Sequence, residues 1–190
     1  MHTLRSFILL FVVVLLTIAG TTSFAATTID SLPFPASWTG SWSGTLNLFY
    51  SSGKTMSVAM MVEIFPIDTS QEGRYTFGIV YSSKAQDWRP YELVPVDPAK
   101  GVWQVDEKNS IVMGSYLCGP KLLCWFVVQG SRILCTYEKT SDTEIVFEVC
   151  SGKETAISAT GKTKQGKENI PEVLTYPVAV FQRAVLKRGE

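Results

Sequence analysis

The sequence predicts an all-β protein, an antiparallel up-and-down barrel of about nine or ten strands, and three observations carry that expectation. Short segments in which apolar and polar residues alternate follow one another from Trp38 to near the C-terminus. Turn residues separate them at short intervals, most clearly at Ser51-Ser52-Gly53-Lys54, Pro98 to Gly101, Gly119-Pro120-Lys121 and Gly130-Ser131. Helical periodicity is almost absent. Regular hairpins in chain order favour closure as a barrel over packing as a sandwich.

After the lead-in Leu32-Pro33-Phe34-Pro35, Trp38 to Tyr50 and Thr55 to Ile67 read as a hairpin. Met56, Val58, Met60, Val62 and Ile64 fall on one face of the second strand, with Ser57, Ala59 and Glu63 on the other. A helix would not hold period two over so many positions. Asp68 to Gly73 is a polar loop, and Arg74 to Tyr81 places Tyr75, Phe77, Ile79 and Tyr81 on one side, residue types that suit a half-buried pleat. In Trp88 to Val96, Pro90 and Pro95 each remove a ladder donor, so an edge, a bulge or a break is expected. Val102 to Val105 runs into the charged turn Asp106 to Ser110, and Ile111 to Cys118 follows. Leu122 to Gln129, Arg132 to Lys139 and Glu144 to Cys150 form a meander of tight hairpins. Thr155 to Thr160 reads as a further strand and Thr163 to Glu172 as a long polar loop. Tyr176 to Leu186 closes the domain; Val178, Phe181, Gln182 and Val185 would also fit a helical face, but Pro177 and the valines favour a strand.

Residues 1–25 read as a cleaved export signal: Arg5, then the apolar run Phe7 to Ala19, then Ser23-Phe24-Ala25 with small residues where a signal peptidase inspects the chain. The run is shorter than the roughly twenty residues that span a bilayer as a helix, so no stable membrane span is expected after cleavage. Residues 26–37 are then an N-terminal lead-in and residues 38–188 a single β-barrel domain, periplasmic or secreted. With 17 basic and 17 acidic residues the chain is neutral, which argues against a nucleic-acid partner. Lys153, Lys162, Lys164 and Lys167 gather in one stretch, but flanking carboxylates make it a solvated loop.

Cys118, Cys124, Cys135 and Cys150 are an even, clustered set, which in an oxidising compartment favours disulfides. Hairpin geometry suggests Cys118 with Cys124 and Cys135 with Cys150, although four cysteines allow three connectivities. No Cys-x-x-Cys occurs, and the only histidine, His2, lies in the leader. A Ser-His-Asp arrangement and histidine-ligated metals are therefore excluded from the exported chain, and no cofactor or metal is expected.

Gly40-Ser41-Trp42 at the start of the first strand and Arg183 in the last resemble the lipocalin and calycin pattern. In that pattern a Gly-x-Trp opens the first strand and a basic residue on the closing strand packs over the indole at the barrel floor. The resemblance implies a calycin-like barrel with Gly40, Trp42 and Arg183 as structural residues; the middle Thr-Asp-Tyr motif of lipocalins has no counterpart here.

A small closed barrel either fills with side chains or holds one small ligand. Leu46, Leu48, Met56, Val58, Met60, Tyr75, Phe77 and Ile79 are the candidate lining for a small hydrophobic or amphipathic ligand, Met60 being suited to an adaptable pocket. The alternative is an extracellular or envelope module with a filled core, using Trp88, Tyr91 and Trp103 to meet a protein or glycan. A third reading is a histidine-free isomerase or lyase built on Asp87, Asp106 and Glu107, but adjacent Asp106 and Glu107 would point to opposite faces of a strand. Asp87-Trp88-Arg89 has the composition of a sugar-binding trio.

Overall fold

Alternation at period two on strand after strand leaves each with one apolar face, and the chain buries all of these faces by closing one sheet on itself. The computed structural model describes residues 33–67 and 73–189; residues 1–25, read above as an export signal, and most of the lead-in lie outside the described residues. The strands are β1 (Gly40–Tyr50), β2 (Thr55–Ile64), β3 (Tyr75–Tyr81), β4 (Asp87–Asp97), β5 (Val102–Asp106), β6 (Val112–Cys118), β7 (Lys121–Val128), β8 (Ser131–Ser141) and β9 (Glu144–Lys153). Four three-residue strands follow, β10 (Ser158–Thr160), β11 (Thr163–Gln165), β12 (Glu168–Ile170) and β13 (Val173–Thr175), and then β14 (Val180–Arg188).

The closed barrel runs β1-β14-β9-β8-β7-β6-β5-β4-β3-β2, so ten strands are arranged up and down with every neighbouring pair antiparallel. Among the described residues the helical elements are two short 3-10 turns, Ala36–Trp38 and Pro98–Lys100. No helix among the described residues is long and apolar enough to cross a membrane.

Of the edge, bulge or break expected in β4, the structure has a bulge: the strand runs full length between β3 and β5, Pro90 lies opposite Gly78 without ending it, and the register shifts between Pro95 and Asp97. Two local expectations change. The turn between β7 and β8 is centred on Gln129-Gly130, both at positive φ (48° and 73°), as a two-residue connection that continues the strand twist requires. Thr163 to Glu172 is not a featureless loop: β11 pairs β12, and β10 pairs β13, so the insertion between β9 and β14 is a thin ribbon.

One end of the barrel is plugged. The indole Nε1 of Trp42 donates to the Trp38 carbonyl at 2.8 Å, and Phe34 packs edge-on to both Trp38 (4.9 Å between ring centres) and Trp103 (5.1 Å). Phe34 and Trp38 thus extend the core into the lead-in. The guanidinium over Trp42 is that of Arg188, 4.5 Å from the ring, and its Nη2 also donates to the Ser37 carbonyl at 3.1 Å. Arg183 does not reach Trp42: it is 46% exposed on the outer wall and pairs with Glu148 at 3.3 Å. The register explains the correction, because Arg188 is the strand partner of Trp42 whereas Arg183 is opposite the outward Asn47.

The seam between β1 and β14 also depends on Gly44. A Cβ there would lie 2.3 Å from the Val185 carbonyl oxygen, a distance that forces the backbones apart. Replacing Arg188 by Ala is expected to cost about 1–2 kcal/mol through the lost cation–π contact and backbone hydrogen bond. Arg183→Ala, which removes an exposed ion pair, is expected to cost less than about 1 kcal/mol. Urea unfolding of the two variants checks the order.

Candidate functional site

The inward faces divide the barrel interior in two. Trp42, Leu46, Val62, Ile64, Leu93, Trp103, Leu122, Ile145 and Leu186 are fully or almost fully buried in the packed core and do not line the cavity. Above them Phe77, Tyr137 and Phe147 pack ring against ring, with centroids 5.0 Å apart for Phe77–Tyr137 and 4.9 Å for Tyr137–Phe147. These rings form the floor of a cavity of about 190 Å³ that opens at the other end of the barrel. Its wall is apolar at depth, with Ile79, Val105, Met113, Phe126, Ile133 and Val149, and polar at the mouth, with Tyr81, Arg89, Tyr91, Glu107 and Gln182.

Phe77 and Ile79 are in the cavity wall. Leu46 and Met60 lie in the buried core, and Leu48, Val58 and Tyr75 are partly buried against it. Met56 is 45% exposed near the start of β2, where Tyr50 contacts its sulfur. The eight residues thus share the inward register but not the cavity, because depth along the barrel axis decides which of them faces open space.

The mouth is built by β3, β4 and the start of the β5–β6 turn. Asp87, Arg89 and Tyr91 occupy successive inward positions of β4, opposite Tyr81, Ile79 and Phe77. Arg89 donates from Nε and Nη2 to the two Asp87 carboxylate oxygens at 3.1 and 3.0 Å, and its guanidinium stands 4.8 Å from the Tyr81 ring. Burial, opposed by the nearby Arg89 charge, pushes the Tyr81 phenol up to about 12. The Tyr91 phenol is also raised, first by burial and then by the Glu107 carboxylate beside it. Glu107 projects into the cavity, and one of its oxygens accepts from Asn109 at 3.2 Å.

The sugar-binding trio does not assemble. Trp88 is on the outer wall, 51% exposed and beneath the Lys84 ammonium, while Asp87 and Arg89 face inward. The exposed aromatic set of the interaction-module reading is likewise dispersed: Tyr91 lines the cavity and Trp103 is buried at 4% exposure. Asp106 and Glu107 separate as the strand period requires, Asp106 accepting from the Lys108 amide at 2.8 Å while Glu107 faces the cavity.

Neither expected cysteine pairing fits the register. Cys124 is opposite Ser115, and Cys118 is opposite Lys121 and exposed, so Cys118 and Cys124 face opposite sides of the wall. Cys150 is opposite Leu134 and lies in an outer groove with Trp125 and Tyr176, whereas Cys135 faces the cavity. The register instead makes Cys124 and Cys135 direct strand partners, both lining the cavity, and all four cysteines are free thiols. Ser115 Oγ and Cys124 Sγ are in hydrogen-bond contact at 2.9 Å, and burial raises the thiol pKa of both Cys124 and Cys135. Sequence reasoning missed Arg89, Tyr91, Gln182 and this thiol pair as cavity residues, and reached Glu107 only through the enzyme reading. For β4 the signal was present, since extending period two through Asp87, Arg89, Tyr91 and Leu93 puts a charged pair at the top of an apolar face.

No protein-family model matches the chain, and no curated protein aligns with it significantly. Among solved structures, a protein of unknown function of the DUF3598 family from Nostoc punctiforme is similar with a TM-score of 0.57 at 10% identity, over 87% of this chain and 53% of that one. The chain therefore spans about half the length of that protein. An S-type phycobiliprotein lyase, CPES, from Guillardia theta is similar with a TM-score of 0.52 at 8% identity, over 82% of this chain and 90% of that one. Both are calycin-like barrels, and at these identities the likeness extends to the fold alone.

The thiols offer a direct check on the cavity geometry. Only the thiolate reacts with a disulfide reagent, so Cys118 is expected to label rapidly in the folded protein. Cys124 and Cys135, shielded and raised in pKa, should label only slowly until denaturant opens the barrel. Mass spectrometry of peptides after timed labelling measures the order.

Proposed function

We propose that the chain is an exported, lipocalin-like binding protein that holds one small amphipathic molecule in the open half of its barrel. One observation carries this reading: the interior is not uniformly filled, but has a packed aromatic floor, an apolar wall and a ring of hydrogen-bonding groups at the mouth. An apolar enclosure with a few converging polar groups is the usual form of a small-molecule site. The fold shared with a phycobiliprotein lyase supports a barrel that accommodates a ligand without naming the ligand here. Export rests on the composition of residues 1–25 and predicts a mature chain beginning at Ala26 when the protein is isolated from its host.

Val149 lies on the cavity wall, and enlarging it to Phe should fill space without disturbing the plugged end. With 2-phenylethanol as a neutral probe, calorimetric titration is expected to show binding to the parent protein and at least about a tenfold loss in Val149→Phe, which corresponds to about 1.4 kcal/mol. The variant should keep its melting temperature to within about 5 °C. Binding that is unchanged in Val149→Phe would place the probe elsewhere, and no binding by the parent protein would remove the cavity as a site for such molecules.

A further inference from the structure

We infer that the molecule held in the cavity is an amine: an aromatic or aliphatic body with a cationic nitrogen at the mouth, received by Glu107. The inference rests on the cavity being a binding site and adds the charge of its occupant. Two charged side chains, Arg89 and Glu107, line the cavity. Arg89 is already matched by Asp87, whose two oxygens take both its Nε and Nη2 hydrogens. Glu107 has no basic partner among the described residues; its side-chain contacts are the neutral Asn109 amide and the neutral Tyr91 phenol, and the nearby Lys108 is drawn away to Glu92 at 3.0 Å.

Counted together, Asp87, Arg89 and Glu107 leave one negative charge at the rim. The Tyr81, Tyr91 and Tyr137 phenols, all with raised pKa, stay neutral near neutral pH and do not add to it. A ligand carboxylate would meet an Arg89 whose charge Asp87 already neutralises, and would stand near the Glu107 carboxylate. A ligand ammonium instead meets an uncompensated carboxylate, with Tyr81 and Tyr91 rings close by to receive its polarised C–H groups. The cavity's modest size and aromatic floor suit an arylalkyl body.

The test compares 2-phenylethylamine, 2-phenylethanol and phenylacetate by calorimetry against the full mature protein and two variants. In the parent the amine is expected to bind about tenfold or more tighter than the alcohol, with phenylacetate weakest, in keeping with a hydrogen bond between charged groups. Glu107→Gln, of nearly unchanged shape, should remove the amine's advantage over the alcohol. Asp87→Asn releases Arg89 and should raise the affinity for phenylacetate specifically. Circular dichroism melts establish that both variants are folded. Preference for phenylacetate in the parent, or an amine preference that survives Glu107→Gln, would overturn the inference while leaving the cavity as a binding site. Failure of all three molecules to bind would overturn both.

Discussion

The seam between first and last strands is the constraint on which the rest of the molecule depends. A sheet of this width left open would expose two rows of unpaired backbone groups, and closing it removes both edges at once. Closure brings β1 and β14 together at Gly44, where the backbone approach leaves no room for a side chain. It also stacks Trp42 under Arg188, and the indole reaches the Trp38 carbonyl. The same few residues therefore join the ends of the sheet, anchor the chain that enters it and seal one mouth. Because that end is sealed with aromatic bulk, the interior cavity opens through the other end.

The packed half and the hollow half follow from the residue sizes that the seam distributes along each inward face. On β3 the inward series is Tyr75, Phe77, Ile79 and Tyr81, and on β9 it is Ile145, Phe147 and Val149. Phe77 and Phe147 meet Tyr137 across the axis and close off the lower core. Ile79, Val149 and Cys135 above them are too short to meet across the same span, so space remains. The core that stabilises the barrel and the cavity that could serve it are thus successive levels of one stack.

The sequence carried the fold more clearly than the site, for a physical reason. Alternation at period two says which face a residue is on, and on that basis β2 and β3 could be read residue by residue. It does not say at what height strands stand against one another. Arg183 and Arg188 are both basic residues of the last strand, and only the register, which pairs Arg188 with Trp42, separates a floor residue from an outer-wall ion pair. The cysteines repeat the lesson: Cys124 and Cys135 meet because the β7–β8 turn is centred on Gln129-Gly130, whereas the hairpin registers read from sequence suggested other partners. The β10–β13 ribbon was obscure because its strands are short and exposed, so burial leaves no apolar pattern to read.

Burial sets the protonation of the groups in the hollow half. A group that moves protons efficiently near neutral pH needs a pKa close to that range. Tyr81, Tyr91, Tyr137, Cys124 and Cys135 are all driven the other way, chiefly by burial, and hold their protons. Histidine is absent from the described residues, so the side chain whose ordinary pKa lies nearest neutrality is not in the wall either. The Asp87–Arg89 pair is partly exposed and adds little to stability, but it fixes the guanidinium and cancels its charge at the rim. What remains at the mouth is a mutually neutralised Asp87–Arg89 pair, neutral phenols and one carboxylate without a basic partner among the described residues, Glu107. On the proposed reading, such a frame selects a ligand by shape and by the sign of its charge.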